Sequence, residues 1–333
     1  MFKFKRYTFL VLFLFHSGVS YASEQDNNSH WVDSVSSART IDLTHTWDEN
    51  SPIASVNPPF SMTLNATHGE TRGIFGDGDQ LSYTSEVMDW SGQHGAPSID
   101  AIGHIGRDGL LHGGVDAAAA TRDLRGLGRS GVGEELAIDH FPKELLTNRG
   151  ILLDVASVIN GNDQPLPADF VITAAHLKQT AKAHKVEIKP GDTVFIRTGW
   201  GKYFKENPQL YLADQASGVG VSGAQYLIDK GVSVVGNDTV AFENRPAVVL
   251  EPRFQLFPVH MMLLVDNGIY IIENLSLDEL AAEKVYEFAA VVPPLKIRGG
   301  TGSALRVFAL VKNNHGRKYQ TMKTATEEAT TKQ

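Results

Sequence analysis

The chain has 333 residues, of which 42% are hydrophobic and 20% are charged, a composition typical of a folded globular protein and not of a disordered or fibrous one. Lysine and arginine number 30 against 38 acidic residues, so the net charge of −8, with no long basic run, argues against nucleic acid as a partner. The absence of cysteine excludes disulfides, thiolate zinc sites and cysteine nucleophiles, so any metal must be bound by histidine, aspartate and glutamate.

Residues 1–22 have the features of a signal peptide. Basic residues precede the apolar stretch 9–15, and the small residues Ser20 and Ala22 occupy the positions that a signal peptidase recognises. We therefore expect cleavage after Ala22. The apolar stretch is far shorter than the ~20 residues that a transmembrane helix needs. We therefore expect a periplasmic or secreted protein with no membrane anchor after cleavage.

The rest of the chain predicts one domain between two polar ends. Residues 23–39 are expected to be a flexible lead-in, and residues 313–333 a disordered tail, because both contain too few apolar residues to pack. No linker and no fixed-period repeat divides residues 40–312, which we interpret as a single folded domain.

Strand and helix patterns alternate from Arg149 onward, and this alternation predicts an α/β fold. One helix is expected after Thr173, and another begins at the cap Ser222 and ends at Gly231. The glycine-rich region 51–133 has weak periodicity and predicts loops that lie over the sheet. The predicted strands are residues 151–155, 192–197, 232–235, 269–272 and 288–292.

A cluster of polar residues within SGQHGAPSIDAIGHIG (91–106) suggests a metal site. On a straight strand His94 and Asp100 would lie about 20 Å apart, too far to share one ion. Gly95 and Pro97 disfavour a helix and allow a bend, so the sequence predicts a folded-back loop whose imidazoles and carboxylate bind a divalent cation, which would lower the pKa of a bound water to ~7. A histidine in such a loop can instead simply bond to backbone. The cluster consists of His94, Ser98, Asp100 and His104.

A second candidate ligand pair lies in the C-terminal third. Glu273 follows a strand of interior type, where a carboxylate is costly unless a cation or several donors meet it. His260 precedes an apolar run and could approach the same point, including through a hairpin turn at residues 266–268. Capping, or an ion pair with Arg245, is the alternative explanation for Glu273.

Several stretches resemble the cyclase family of metal-dependent hydrolases, which includes bacterial kynurenine formamidase and isatin hydrolase and has the signature HxGTHxDxPxH. The stretches IDLTHTWDENSP (41–52), RTGW (197–200) and VVGNDTVAFE (234–243) are similar to family elements, and residues 257–280 and 293–303 resemble its closing elements almost position by position. The resemblance implies an α/β fold of the swivelling β/β/α type, with one domain, a mixed sheet, long N-terminal loops and a homodimeric assembly.

The resemblance also implies roles for individual residues. His94 stands where the family has its first metal-binding histidine, Asp100 where it has the carboxylate ligand, and His104 where it has the acid/base histidine. His260 and Glu273 are the implied ligands from the second half of the chain.

The signature is altered at three positions. Ser98 occupies the place of the second ligand histidine, and Ala96 and Ile102 replace the motif glycine and proline. Loss of an imidazole should weaken the binding of Zn²⁺ more than that of Mn²⁺, which prefers oxygen ligands. We expect a divalent ion, zinc or manganese. With one ligand fewer, a site for one ion is plausible in place of a site for two.

These observations predict a metal-dependent hydrolase that opens a small cyclic or acyl amide, or a lactone, with His104 moving the proton. Ser98 and Trp200 are expected near the metal or the small-molecule substrate. Phe242 and the loop 60–83 are further candidates for the pocket wall, although plain core packing is the favoured explanation for each aromatic residue.

Two alternative functions remain open. The altered motif at Ser98 is compatible with a periplasmic binding or scaffold protein that has lost the chemistry, and the same metal and base would also serve a lyase or isomerase. Asp238 and Glu243 follow a predicted strand, where they could line the rim of the site or cap turns.

Overall fold

The computed structural model describes residues 22–54, 57–76, 78–93, 95–122, 131–133 and 135–313. Its compact unit is Arg39–Val311, next to the predicted bounds of 40 and 312. Helix α1 (Ala22–Ser37) lies outside this unit. It occupies most of the segment 23–39, for which the sequence predicts a flexible lead-in. Residues 1–21 and 314–333 lie outside the described residues, so the signal peptide and the tail stay predictions. No helix in the described part of the chain is long and apolar enough to cross a membrane.

Fifteen strands occur in the described residues. They are β1 (Arg39–Asp42), β2 (Ser61–Ala66), β3 (Ser85–Asp89), β4 (Ser98–Asp100), β5 (Thr147–Asp154), β6 (Val171–Ile172), β7 (Thr193–Arg197), β8 (Gly218–Val219), β9 (Val234–Asn237), β10 (Val248–Val249), β11 (Gln255–Leu256), β12 (Tyr270–Glu273), β13 (Glu287–Val291), β14 (Gly302–Ala304) and β15 (Phe308–Val311).

The helices after α1 are mostly short. They are α2 (His68–Thr71), α3 (Ala117–Ala120), α4 (Val155–Asn160), α5 (Ala174–His184), α6 (Tyr203–Glu206), α7 (Pro208–Tyr211), α8 (Val221–Asp229), α9 (Pro258–His260) and α10 (Asp278–Ala282), and a π-helix (Met261–Asp266) continues α9.

A nine-stranded mixed sheet in the order β1-β15-β13-β5-β7-β9-β12-β4-β14 is the framework of the compact unit. Strands β5, β7, β9 and β12 run parallel to one another, and the outer pairs are antiparallel. All residues of β7, β9 and β12 are buried, as expected for parallel strands covered on both faces. The predicted α/β fold with a mixed sheet is confirmed. Four predicted strands match β7, β9, β12 and β13 to within two residues at each end, and the fifth matches β5, which begins at Thr147, four residues before the predicted start.

The two helices predicted from capping signals are both present. The Thr173 hydroxyl accepts a hydrogen bond from the backbone N–H of His176, and His176 Nδ1 accepts one from the backbone N–H of Thr173, which closes a capping box at the start of α5. Helix α8 begins two residues earlier than predicted, with Gly220 as its N-cap, so the assignment of Ser222 as its cap is wrong. The Ser222 hydroxyl instead accepts from the N–H of Ala174 in α5.

The region 51–133 is more structured than its sequence predicts. Strands β2 and β3 pair as an antiparallel ribbon, and β4 lies inside the main sheet between β12 and β14. A strand of three residues is too short to show a periodic pattern, and its pairing partners lie far along the chain. The position of β4 in the sheet is what brings the first half of the candidate site beside the second half.

Candidate metal centre and its cavity

The register between β4 and β12 places two carboxylates on one face of the sheet. Ser98 lies opposite Glu273, and Asp100 lies opposite Ile271. Residues opposite each other, and residues two apart on one strand, share a face, so Ser98, Asp100 and Glu273 all point to the same side. The even spacing of residues 98 and 100 therefore puts both side chains on one face, as expected for an extended strand.

The chain folds back just before β4, as predicted for this loop. The Ser98 hydroxyl donates to the carbonyl oxygen of Gln93 at 2.7 Å, and the Ala96–Pro97 peptide bond is cis. A Cβ at Gly95 would lie 2.4 Å from the carbonyl oxygen of Pro97, so this close approach requires glycine. His94, the predicted first ligand, lies outside the described residues, and its role stays a prediction.

His260 ends the short helix α9, and Glu243 fixes its position. The Glu243 carboxylate accepts hydrogen bonds from the backbone N–H groups of Val259 and His260, at 3.2 and 3.0 Å, and so caps the helix from another element. Its Oε1 also lies 2.6 Å from Nδ1 of the His260 ring. With Nδ1 occupied in this way, Nε2 is the ring nitrogen left to face β4 and β12.

Asp100, His260 and Glu273 form a compact buried triad. His260 Nε2 lies 3.2 Å from Oε1 of Glu273 and 3.7 Å from Oδ2 of Asp100. One ligand atom from each residue lies within 4.8 Å of the other two, and all three side chains are buried. Glu273 is also oriented by the backbone N–H of Phe242, which donates to its Oε1 at 2.9 Å. One imidazole nitrogen and two carboxylates at this spacing fit a single divalent cation.

The charges within the triad also favour a cation. Burial raises the pKa of Asp100 well above its usual range, the charge of Glu273 raises it further, and His260 lowers it. Burial by itself would lower the pKa of His260, but hydrogen bonds to Glu243 and Glu273, and their charges, raise it well above its usual value. Buried carboxylates thus hold a proton on the imidazole, and a divalent cation can supply that positive charge instead.

His104 lies at the edge of the triad. Its Nε2 is 3.9 Å from Oδ1 of Asp100, and its side chain is 30% exposed, so it can exchange protons with solvent while it contacts the site. The triad and His104 open into a cavity of about 390 Å³, a volume suited to a small molecule. The polar residues that line this cavity are Asn57, Gln93, Asp100, His104, Arg245, His260 and Glu273.

Three other residues predicted near the pocket, Ser98, Trp200 and Phe242, are absent from the cavity lining. Ser98 is buried and uses its hydroxyl on the Gln93 carbonyl. Trp200 is buried with its indole N–H on the carbonyl of Leu166 at 2.9 Å, so it packs in the interior and does not wall the cavity described above. Phe242 contributes its backbone N–H to the site, and the described part of the loop 60–83 is absent from the cavity lining.

The alternatives weighed for the acidic residues are now resolved. Asp238 caps the turn after β7 by accepting from the backbone N–H groups of Thr198 and Gly199, each at 2.8 Å. No ion pair joins Glu273 to Arg245 among the described residues. The hairpin proposed at residues 266–268 is absent, because a π-helix ends at Asp266, yet His260 and Glu273 are neighbours as that hypothesis required.

Sequence reasoning missed part of the site. Glu243 was weighed only as a rim or capping residue, and its contact with His260 Nδ1 shows that it positions a candidate ligand. Asn57, Gln93 and Arg245 line the cavity without having been predicted there. A signal for Glu243 was its position after a predicted strand, next to the apolar Phe242. Site residues in α/β sheets commonly follow the ends of strands.

Comparison with known proteins identifies the family. A family model described as putative cyclase matches residues 41–244. The chain belongs to the cyclase family. The isatin hydrolase of Roseibium aggregatum is 33% identical over 147 residues, which are 43% of this chain and 53% of that protein, so the chain spans about half the length of this curated relative.

Solved structures agree with the fold of this cyclase-family chain. The crystal structure of a novel cyclase has a TM-score of 0.71 and 25% identity, over 85% of this chain and 92% of that one. Isatin hydrolase A from Labrenzia aggregata, bound to benzyl benzoate, has a TM-score of 0.63 and 22% identity, over 87% of this chain and all of that one (100%). The family and the mixed α/β fold predicted from the sequence are both confirmed.

Proposed function

We propose that this cyclase-family chain is a metal-dependent hydrolase that opens a small cyclic or acyl amide, or a lactone. The observation that carries the proposal is the buried triad of Asp100, His260 and Glu273, whose ligand atoms lie within 4.8 Å of one another at a small-molecule cavity. When bound there, a divalent cation supplies Lewis acidity and acidifies water at neutral pH. The relationship to an isatin hydrolase supports the hydrolytic reaction class.

The residues around the triad have distinct tasks in this reaction. Water oxygen bonds to the substrate carbonyl carbon, the bond from that carbon to nitrogen or oxygen breaks, and His104 carries the proton from water to the leaving atom. Nε2 of His104 lies 3.9 Å from Oδ1 of Asp100, which places the ring beside the candidate metal ligands. Glu243 holds His260 in one tautomer and one orientation.

The described ligand set favours manganese over zinc in this proposal. Two of the three donors are carboxylate oxygens, and oxygen-rich sets suit Mn²⁺ better than sets rich in imidazole or thiolate. We also propose that the chain is exported and acts as a homodimer on a small molecule, as the sequence features and the family resemblance lead us to expect.

Purified full-length chain, stripped with a chelator, tests the proposal. It is assayed with formanilide, isatin and a small aryl lactone, before and after addition of Mn²⁺ or Zn²⁺. We expect turnover only with added metal, and incorporation of one labelled oxygen from H₂¹⁸O into the acyl product. A product without label would indicate a lyase or isomerase.

Two histidine variants separate chemistry from folding. His104→Ala should lose roughly 10²-fold or more in kcat while it binds metal as the natural chain does. His140→Ala, at an exposed histidine outside the cavity, should retain full activity. Absence of stoichiometric metal together with absence of metal-restored turnover would contradict the hydrolase and support a binding or scaffold role.

A further inference from the structure

Arg245 is a half-buried cation that lines the same cavity as the triad. Among the described residues, no carboxylate lies within ion-pair distance of its guanidinium. Arg197, which is buried, shows the contrasting case of a paired guanidinium. Arg197 lies 3.0 Å from Asp154 and 2.7 Å from Asp278. Arg245 therefore brings to the cavity wall a positive charge that has no ion-pair partner among the described residues.

The guanidinium of Arg245 is held in place by backbone groups. Nη2 donates to the carbonyl of Tyr211 at 2.8 Å, and Nη1 donates to the carbonyl of Leu212 at 3.3 Å. Its own backbone pairs in both directions with Ala216. Tyr211 is itself fixed, because its hydroxyl donates to Asn274 at 2.8 Å. These contacts hold the guanidinium in a defined orientation at the cavity wall.

This anchoring leaves most of the donors of Arg245 unused. A guanidinium carries five N–H groups, and the two contacts above use only two of them. Nε is buried and has no hydrogen-bond partner in the described structure. Burial lowers the pKa of Arg245, and the more distant charges of Glu273 and Asp214 offset that effect only in part. A buried donor of this kind is costly unless a ligand completes its contacts.

We infer that Arg245 determines substrate specificity by binding a carboxylate of the substrate, so that the preferred substrates are small amides or lactones that carry a carboxylate group. The inference rests on the proposed function and names the substrate class of the same site. The carboxylate would contact the guanidinium while the scissile carbonyl faces Asp100, His260 and Glu273. Guanidinium and carboxylate groups form charge-assisted hydrogen bonds with matching planar geometry.

Ligand binding to the full-length chain tests this inference without turnover. The probes are benzoate and nitrobenzene, which have nearly the same shape but differ in charge, and affinity is measured by calorimetry with and without added Mn²⁺. We expect Arg245→Gln to weaken benzoate binding by roughly ten- to hundredfold, and to change nitrobenzene binding less than threefold. Arg253→Gln is the matched control, because Arg253 forms an exposed pair with Asp108 away from the cavity.

Two further measurements make the outcome decisive. Arg245→Lys keeps the charge and should retain more benzoate affinity than Arg245→Gln, and a circular dichroism spectrum checks that each variant is folded. In turnover, Arg245→Gln should reduce kcat/KM at least roughly tenfold for formanilide bearing an ortho-carboxylate, and less than threefold for formanilide itself.

The results distinguish this inference from the proposed function. Equal losses for benzoate and nitrobenzene, or no loss for either, would overturn the role of Arg245 even if metal-dependent hydrolysis is observed. If hydrolysis is absent but benzoate binding depends on Arg245 as stated, the anion site stands and the hydrolase proposal fails.

Discussion

Glu243→Gln is the most informative single substitution, because it preserves the shape of the side chain and removes its charge. In the natural chain, Glu243 makes three contacts with α9, to Nδ1 of His260 at 2.6 Å and to two backbone N–H groups at 3.0 and 3.2 Å. Glutamine can still accept from the backbone through its carbonyl oxygen. It can no longer attract the Nδ1 proton as an anion, so the His260 ring loses its fixed orientation and part of its basicity.

The expected cost follows from this change. Groups that orient a ligating histidine typically contribute 10- to 100-fold to metal affinity, which is about 1.4–2.7 kcal/mol. We therefore expect the Mn²⁺ affinity of Glu243→Gln, measured by chelator competition at pH 8, to fall by roughly this factor. His260→Ala removes a ligand and should lose considerably more.

Proton release gives an independent readout of the same contact. Glu243 is one of the groups that raise the pKa of His260, so metal must displace a proton from His260 over a wide pH range in the natural chain. In Glu243→Gln that pKa falls, and fewer protons should be released per metal bound at pH 7. Calorimetry in buffers of different ionisation enthalpy measures this number.

A matched control and a clear contrary result complete the experiment. Glu287→Gln removes the exposed ion pair with Arg149 and should leave metal affinity unchanged. The reasoning is refuted if Glu243→Gln binds Mn²⁺ as tightly as the natural chain and releases as many protons.

Three further predictions concern stability. Burial raises the pKa of Asp100 above 3.8, so the contribution of Asp100 to the free energy of unfolding is lost as pH rises toward the raised pKa. Asp100→Asn should therefore stabilise the metal-free chain at pH 7 by about 1 kcal/mol or more. The same variant should lose the stabilisation of about 2.7 kcal/mol that metal at 100 times its Kd provides, and thermal melts measure both effects. Burial lowers the pKa of His45 from 6.5 to about 4, so stability is full above pH 6.5 and falls by about 2 kcal/mol between pH 7 and pH 5 in urea titrations; a His45→Phe variant with the same slope would contradict this. Gly95→Ala should cost about 1–3 kcal/mol, because its Cβ would lie 2.4 Å from the Pro97 carbonyl, whereas Gly133→Ala, whose nearest neighbour lies at 3.6 Å, should cost less than half as much in the same melts.

The sequence predicts the parallel half of the sheet better than the rest. Strands β7, β9 and β12 and residues 150–154 of β5 are buried on both faces, so their apolar runs are visible locally, and the cap at Thr173 is equally local. Strand β4 could not be found in this way, because three residues carry no period and its place is decided by distant partners.

The site was predictable as a set of candidate ligands but not as an arrangement. Asp100, His260 and Glu273 were expected to converge, and they do. The sequence does not reveal that a carboxylate from the segment after β9 would hold His260, because Glu243 reaches it only through the tertiary packing of α9. Trp200 shows the opposite error, since an aromatic residue after a strand can pack inward, as it does here against Leu166.

The pairing of β4 with β12 has a consequence for folding kinetics. Asp100 and Glu273 are neighbours in space but belong to opposite halves of the polypeptide, so a complete ion-binding shell exists only after the sheet has closed around β12. An ion that binds at that late step stabilises the native state and does not take part in the folding nucleus. Its main kinetic effect should be a longer lifetime of the native state, with the rate of folding almost unaltered.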